Sequence, residues 1–409
     1  MYHIFVKNGK NYFLIYNANK LSFKFIHMKS IFLIFHGFSH YSGISKKISY
    51  QKEALEQCGV ETQLCYLDID KKGYHKRMID NDILENYGKG ITAKIKRRTE
   101  YSGLFNYIIN NNIDLLYIRT SHNANPFLIR FIKKLKRSGI KSVMEIPTFP
   151  YDQEYKMISK AADRFRFFID KKFRHQLAKY LFRIVTFSDD KQIFGTPTIN
   201  ISNGVDFDQI KIKTLKKKDQ KCIHLLGVAE IHTWHGFDRI IRGLANYYKK
   251  TQTVSVFFNI VGFGDVDEIN NLKKLITKNH LESFVRLSGP KTEKDLDNQF
   301  DEADFGIASL GRHRSGITHM KSLKNREYAA RGLPFIYSET DDNFDKMPYI
   351  MKAPANETPI DIEKIVQFYY SHSFEPAKIR DSIFPELSWN VQMKKIIDNI
   401  SPKKIIKKN

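Results

Sequence analysis

Short continuous apolar runs alternate with amphipathic stretches along most of this chain, and that rhythm rules out most architectures before any motif is considered. Residues 31–35, Ile-Phe-Leu-Ile-Phe, are the first such run, the pattern of a parallel strand buried on both faces. Similar runs recur at 61–67, 114–118, 143–146, 184–188 and 198–201, and again at 223–227, 254–261, 284–287, 304–308 and 333–337. Between them the apolar residues take helical spacing. Ile44, Ile48, Leu55 and Cys58 form one stripe ending at Gly59, and Phe127, Leu128, Phe131, Ile132 and Leu135 another ending at Gly139. Phe237, Ile240, Ile241, Leu244 and Tyr247 form a third, each the inward face of a helix. Strands alternating with helices predict doubly wound α/β architecture with parallel sheets. At 409 residues the chain has room for two such units.

The expected division is 28–205, then 206–385, with helices near 362–370 and 391–400. The Lys-rich segment 211–221 reads as an exposed linker. Residues 147–152, with two prolines and two aromatics, read as a rigid loop. The Lys/Arg-rich segment 71–101 is weakly periodic and reads as an insertion facing an acceptor or a membrane surface. Residues 1–27 lack a signal-peptide pattern and precede a second methionine, Met28. They are expected to be a disordered arm or a non-native extension.

A formal net charge of +23 implies an anionic partner: nucleic acid, acidic lipid or nucleotide phosphates. A solvated Lys-rich surface is the plainer alternative. The aromatics fall at buried periods and no nucleic-acid motif appears, which disfavours a non-catalytic nucleic-acid or anionic-surface module. Cys58, Cys65 and Cys222 have neither metal-ligand spacing nor a disulfide framework, which points to the reducing cytosol. There is no apolar run of about eighteen residues, so no membrane-spanning helix is expected. Basic stretches near 94–98 and 403–408 suit peripheral attachment to an anionic membrane, on the inner face.

The richest stretch is 311–337, GRHRSGITHMKSLKNREYAARGLPFIY. A Gly-flanked basic loop with Arg312, His313 and Arg314 leads to a helix expected to begin near Met320. Lys324 and Glu327 lie three apart on one face of its first turns, where N–H groups and the dipole favour anions. Gly332 ends the helix and 333–337 is a buried strand. Such a helix terminus with clustered cations suits a diphosphate, and a carboxylate one turn in suits a pair of sugar hydroxyls.

SLKNREYAARGLPFI resembles the donor-binding helix of retaining GT-B glycosyltransferases of the family 4, or group 1, type. Ser202-Asn203-Gly204-Val205-Asp206 is similar to the turn at their domain junction. Gly262-Phe263-Gly264-Asp265 is similar to their "vGxG" strand end. A dinucleotide fingerprint there fails, because its third Gly falls at Asp267. The resemblance implies two Rossmann-like domains facing a cleft, with a C-terminal crossover helix at 386–402 returning to the first. It places a nucleotide-sugar, UDP- or GDP-linked, on the second and a glycan or lipid-linked glycan acceptor on the first. It implies polysaccharide biosynthesis in bacteria, transfer with retention, no cofactor and no metal.

Residue by residue, it implies that Glu327 binds the ribose, with Lys324 and Arg314 joining it in the chemistry. Gly227, His235, Gly262, Gly264, Arg312, His313, His319, Ser322 and Leu323 would complete the donor site. Ser42, Gly43, Glu145, Thr148 and Asp152 would lie on the acceptor side, with Glu154 beside them. The sequence departs from the family at Val228 and His235, where relatives carry Arg and Lys, and Arg312, Arg314 and Lys324 are expected to supply that charge instead. It departs again at His319, eight before Glu327, where they often carry an acid. A GT-B sugar-nucleotide epimerase would share the nucleotide site and need no acceptor.

Overall fold

The structure, a computed structural model, describes residues 2–7, 10–15, 28–38, 43–120, 122–152 and 161–401. Strands β1 (Tyr2–Lys7) and β2 (Lys10–Ile15) pair with each other as an antiparallel hairpin and with neither of the two larger sheets.

The first large sheet begins with β3 (Met28–Leu33), α1 (Gly43–Gln57) and β4 (Val60–Ile69). It continues through β5 (His75–Ile79), β6 (Asp82–Gly88), α2 (Gly90–Thr99), α3 (Ser102–Asn110), β7 (Leu115–Arg119), α4 (Pro126–Arg137) and β8 (Lys141–Ile146). It closes with α5 (Ala161–Ala178), β9 (Arg183–Thr186), β10 (Gln192–Ile193) and β11 (Thr196–Asn200). The spatial order is β10-β11-β9-β8-β7-β3-β4-β5-β6. Strands β3, β4, β7, β8, β9 and β11 run parallel, whereas β5, β6 and β10 pair antiparallel at the two edges. Segment 71–101 is therefore a sheet-edge hairpin and a helix, not an irregular insertion. Buried Arg77 organises it, donating to Glu85 at 2.6 Å and to the carbonyls of Arg97 and Glu100. That pairing is non-local, so periodicity did not reveal it.

Local sequence sets the helices. Asn125 accepts from the N–H groups of Phe127 and Leu128, and Pro126 occupies the first turn of α4. Two expected inward residues, Ile44 and Phe127, are exposed at the first turns of α1 and α4. Lys47, Gln51 and Ile129 are buried in these helices instead.

The second sheet comprises β12 (Cys222–Ile231), α6 (Phe237–Tyr247), β13 (Ser255–Gly264), α7 (Val266–Lys278), β14 (Val285–Gly289) and α8 (Glu293–Glu302). Then come β15 (Phe305–Ile307), α9 (Leu323–Arg331), β16 (Phe335–Tyr337) and β17 (Ile350–Lys352). All its strands are parallel, in the order β14-β13-β12-β15-β16-β17. In both sheets the chain winds outward one way, then returns to the other side of its first parallel strand. The reversals lie at β3/β7 and β12/β15, and the crevices at the carboxyl ends of such strands are where ligands bind in open α/β sheets.

Helices α10 (Ile362–Ser371), α11 (Pro376–Asp381) and α12 (Trp389–Ile400) finish the described chain. Trp389, Met393, Ile396, Ile397 and Ile400 of α12 share a core with Phe32, Val185 and Ile199 of the first sheet. A Cβ on Gly204 would lie 2.5 Å from the Trp389 ring, which is why the junction turn needs glycine there.

Candidate active site

At the carboxyl edge of the second sheet, the loop after β12 meets the loop after β15 backbone to backbone. Gly236 makes this approach possible: its φ is +65° and a Cβ would sit 2.8 Å from the Gly311 nitrogen. Beyond them, the Met320 N–H donates to the Thr340 carbonyl at 2.9 Å and the Thr340 N–H to that of Thr318 at 2.7 Å. These bonds hold 318–320 extended, so α9 starts at Leu323 and not near Met320. Its N-cap, Ser322, makes no side-chain capping bond, so the first-turn N–H groups keep their capacity for an anion.

Lys324 points from that first turn, and its buried Nζ has no hydrogen-bond partner among the described residues. Burial first, then repulsion from Arg312, holds the ammonium well below its usual range, while Glu339, Glu327 and Glu230 oppose the shift. Glu327 is oriented by Arg331, whose Nε donates to Oε1 at 3.3 Å and whose Nη1 is held by Asp297 at 2.5 Å. Its Oε2 accepts no hydrogen bond among the described residues. His235 is buried, and its Nδ1 accepts from the His232 N–H at 3.1 Å. Burial, with Lys324 and Arg312 nearby, holds that imidazole well below its usual range, so it is neutral.

Arg314 was expected in the chemistry, but its guanidinium is already spent. It donates to both Asp238 oxygens at 2.9 and 3.0 Å, to both Glu357 oxygens and to the Thr233 carbonyl. Its hydrogen bonds press the Glu357 carboxyl down to about 2. His313 also contacts Glu357, at 2.7 Å. Arg314 fastens the 311–316 loop to α6, and both residues fasten it to Glu357 in the segment before α10, while Arg312 acts on Lys324. Gly227, Gly262 and Gly264 serve close packing within β12 and β13, where a Cβ would strike Phe237, the Ala229 carbonyl or the Ile231 carbonyl. Ser322 is buried and Leu323 exposed.

His319 sits beside two acids. Its Nε2 lies 3.0 Å from Asp342 and 3.8 Å from Asp189 of the first sheet. These three exposed residues have donor atoms within 4.8 Å of one another, a set able to hold a metal ion. Lys321 already neutralises part of it, at 2.9 Å from Asp189. Sequence reasoning missed Glu339, at the carboxyl end of β16. It is almost fully buried, and apart from its own amide neither carboxylate oxygen has a partner among the described residues. Burial pushes its carboxyl up to about 7, against the pull of Arg312. Its place just past a parallel strand was the signal that could have found it.

On the first sheet, Ser42 and Glu154 lie outside the described residues. Gly43 opens α1 with nothing near a hypothetical Cβ. Glu145 is no open acceptor-side carboxylate: it is fully buried, accepting from Gln51 and Tyr117 at 2.7 Å each and paired with Arg119 and Lys47. Burial alone would raise its carboxyl, but Lys47 and Arg119 hold it below the usual range. Thr148 is half-buried in the loop after β8. Asp152 is gripped by Arg174 through both oxygens, at 2.6 and 3.0 Å. His122, beyond β7, was also missed; it packs 4.2 Å from the Tyr151 ring, and burial draws it down to about 4.

No family model and no curated protein matches this sequence. Solved structures do match. Sucrose-phosphate synthase from Thermosynechococcus elongatus aligns with a TM-score of 0.64 at 13% identity, over 91% of this chain and 98% of that one. A glycosyltransferase from Rickettsia africae gives 0.61 at 12% identity, over 91% and 98%. HepE from Anabaena, solved with UDP, gives 0.58 at 12%, over 91% and 99%. With its two parallel-dominated α/β sheets, each reversing at its first parallel strand, the chain has the GT-B fold of these proteins.

Proposed function

We propose that the chain is a glycosyltransferase that moves a sugar from a nucleotide-sugar, a UDP- or GDP-sugar, to a glycan or lipid-linked glycan acceptor with retention, in bacterial surface polysaccharide assembly. The observation that carries this reading is Lys324: a buried, unpartnered ammonium at an uncapped helix N-terminus, one turn from the half-free carboxylate of Glu327. Glu327 Oε2 would accept the ribose hydroxyls. Lys324, Arg312 and the α9 N–H groups would hold the diphosphate. The UDP in the HepE structure supports the donor class.

In the reaction the bond from the anomeric carbon to the diphosphate oxygen breaks and one to the acceptor oxygen forms. The acceptor's proton passes to the departing diphosphate on the same face. Charge grows on the diphosphate as it leaves, and Lys324 and Arg312 act by stabilising that charge. A bound diphosphate would also favour the charged form of Lys324 that burial disfavours. A thermal-shift screen against UDP, GDP, ADP, CMP and their sugars tests the reading. A ligand at one hundred times its dissociation constant adds about 2.7 kcal/mol of apparent stability, and the absence of a shift with every nucleotide would overturn it.

A further inference from the structure

A second pocket lies on the first sheet, and neither Lys324 nor Glu327 lines it. A pocket of about 450 Å3 opens at the carboxyl ends of β3 and β4, lined by Phe35, His36, Leu67 and Ile69 and by Arg97, Arg98 and Arg166. Arg97 and Arg98 come from the last turn of α2 and Arg166 from α5. The Arg97 and Arg166 Nε atoms are buried without hydrogen-bond partners among the described residues. Asp163 pairs with Arg166 at 3.3 Å, and Arg97 meets the His75 ring at 3.1 Å. Burial and then the neighbouring Arg98 draw the Arg97 guanidinium down. Three arginines crowd the pocket, and among the described residues Asp163 is the one acid paired with them, so the lining asks for an anion.

The two helices that supply these arginines also carry exposed apolar side chains. Ile91 and Ile95 of α2 are 75% and 56% exposed. They fall on the same helical stripe as Arg98, at intervals of four and three. Phe165 and Phe168 of α5, beside Arg166, are each 65% exposed, and Ile69 at the pocket wall is 52% exposed. Helix α2 buries only Ala93 and carries Lys94, Lys96, Arg97 and Arg98. It thus turns both its isoleucines and its cations outward, the composition of a helix that lies in a lipid–water interface. A free anion would use the arginines and leave the exposed Ile and Phe unexplained. An apolar partner would use the rim and leave the arginines unbalanced.

We propose that this pocket takes the phosphate or diphosphate head of a membrane lipid, with Arg97, Arg98 and Arg166 on the phosphate and Ile91, Ile95 and Phe165 against the lipid's apolar part. The lipid is the acceptor, or its carrier, in the proposed transfer. That role rests on the transferase reading, whereas lipid binding itself does not.

The test uses the full chain and three vesicle types: phosphatidylcholine alone, phosphatidylcholine with phosphatidylglycerol, and phosphatidylcholine with a long-chain isoprenyl diphosphate at matched surface charge. Co-sedimentation is expected to favour the isoprenyl diphosphate vesicles on the order of tenfold over the equally charged ones. Inorganic pyrophosphate should compete only for that excess. Arg98→Gln with Arg166→Gln should abolish the preference and leave residual charge-driven binding. Ile91→Ser with Ile95→Ser should weaken binding to all charged vesicles, with circular dichroism unchanged because both side chains are exposed. Equal binding to the two charged vesicle types, or a preference that survives the arginine changes, overturns the proposal. The two readings separate cleanly: a lipid preference without any nucleotide shift defeats only the transferase and acceptor roles, and a nucleotide shift without lipid preference defeats only the lipid site.

Discussion

Lys324 and Glu327 sit three residues apart on α9 yet should fail differently when replaced. Glu327→Gln keeps the Arg331 contact in size but weakens charge-assisted bonds to two hydroxyls, raising the donor's dissociation constant by about 1.5–3 kcal/mol in free-energy terms. Lys324→Ala removes a cation facing charge that grows in the transition state, so kcat should fall on the order of a hundredfold, more than affinity does. Steady-state kinetics with a folding control check both; wild-type kinetics in both folded variants would remove the site assignment. Glu339 makes a separate prediction through pH. Its folded pKa is raised to about 7 from the ordinary 4.5. The folded state therefore holds the proton longer, and ionisation costs nothing below the ordinary value and its full penalty above about 7. Glu339→Gln should leave stability near pH 4 unchanged and raise it near pH 8 by about 3 kcal/mol. Denaturant melts at the two pH values read this directly, and equal stabilisation at both would contradict it.

The junction turn and α9 act together among the elements. Arg326, fully buried on α9, binds both Asp341 oxygens at 2.7 and 3.1 Å and reaches Ser202 and the Asn203 carbonyl. Asn203 in turn donates to the Lys321 carbonyl at 2.6 Å. This grip fixes the N-terminus of α9 relative to the turn, and Gly204 fixes the turn relative to α12. Gly204→Ala would push a methyl into the Trp389 ring and backbone, at 2.5 and 2.8 Å. A loss of about 1–3 kcal/mol is expected from such overpacking. An unchanged chemical-denaturation midpoint would mean that α12 can shift without cost. The contrast with Gly43 is useful, since a substitution there meets nothing.

Across the whole molecule, the C-terminal helix α12 is tied back to the first sheet by polar as well as apolar contacts. Ser202 N–H donates to Gln392 at 2.7 Å, and Lys141 Nζ to the Ile400 carbonyl at 2.6 Å. The net charge of +23 acts over longer distances. Attraction to anionic vesicles should weaken as the Debye length contracts, to about 8 Å at physiological salt, and binding indifferent to salt and anionic lipid would leave the charge as a solvated surface. No described helix is long and apolar enough to cross a membrane. A chain starting at Met28 is expected to keep its melting temperature and donor affinity. A large loss in either would show that the β1–β2 hairpin packs on the core or contacts a ligand.

The sequence alone determined the strand-helix alternation, the α9 pair Lys324 and Glu327, and the Gly-bearing turns. Each depends on residues within a few positions of one another, through period, capping or turn chemistry. Only tertiary structure decided which charges remain available. Arg314 meets Asp238, Glu145 meets Lys47 and Arg119, and His319 meets Asp189, all partners from distant segments. It also made β5 and β6 a sheet edge and gathered arginines from α2 and α5 around one pocket. A side chain's own type states what it can bind, but burial and long-range partners determine whether that capacity is already used.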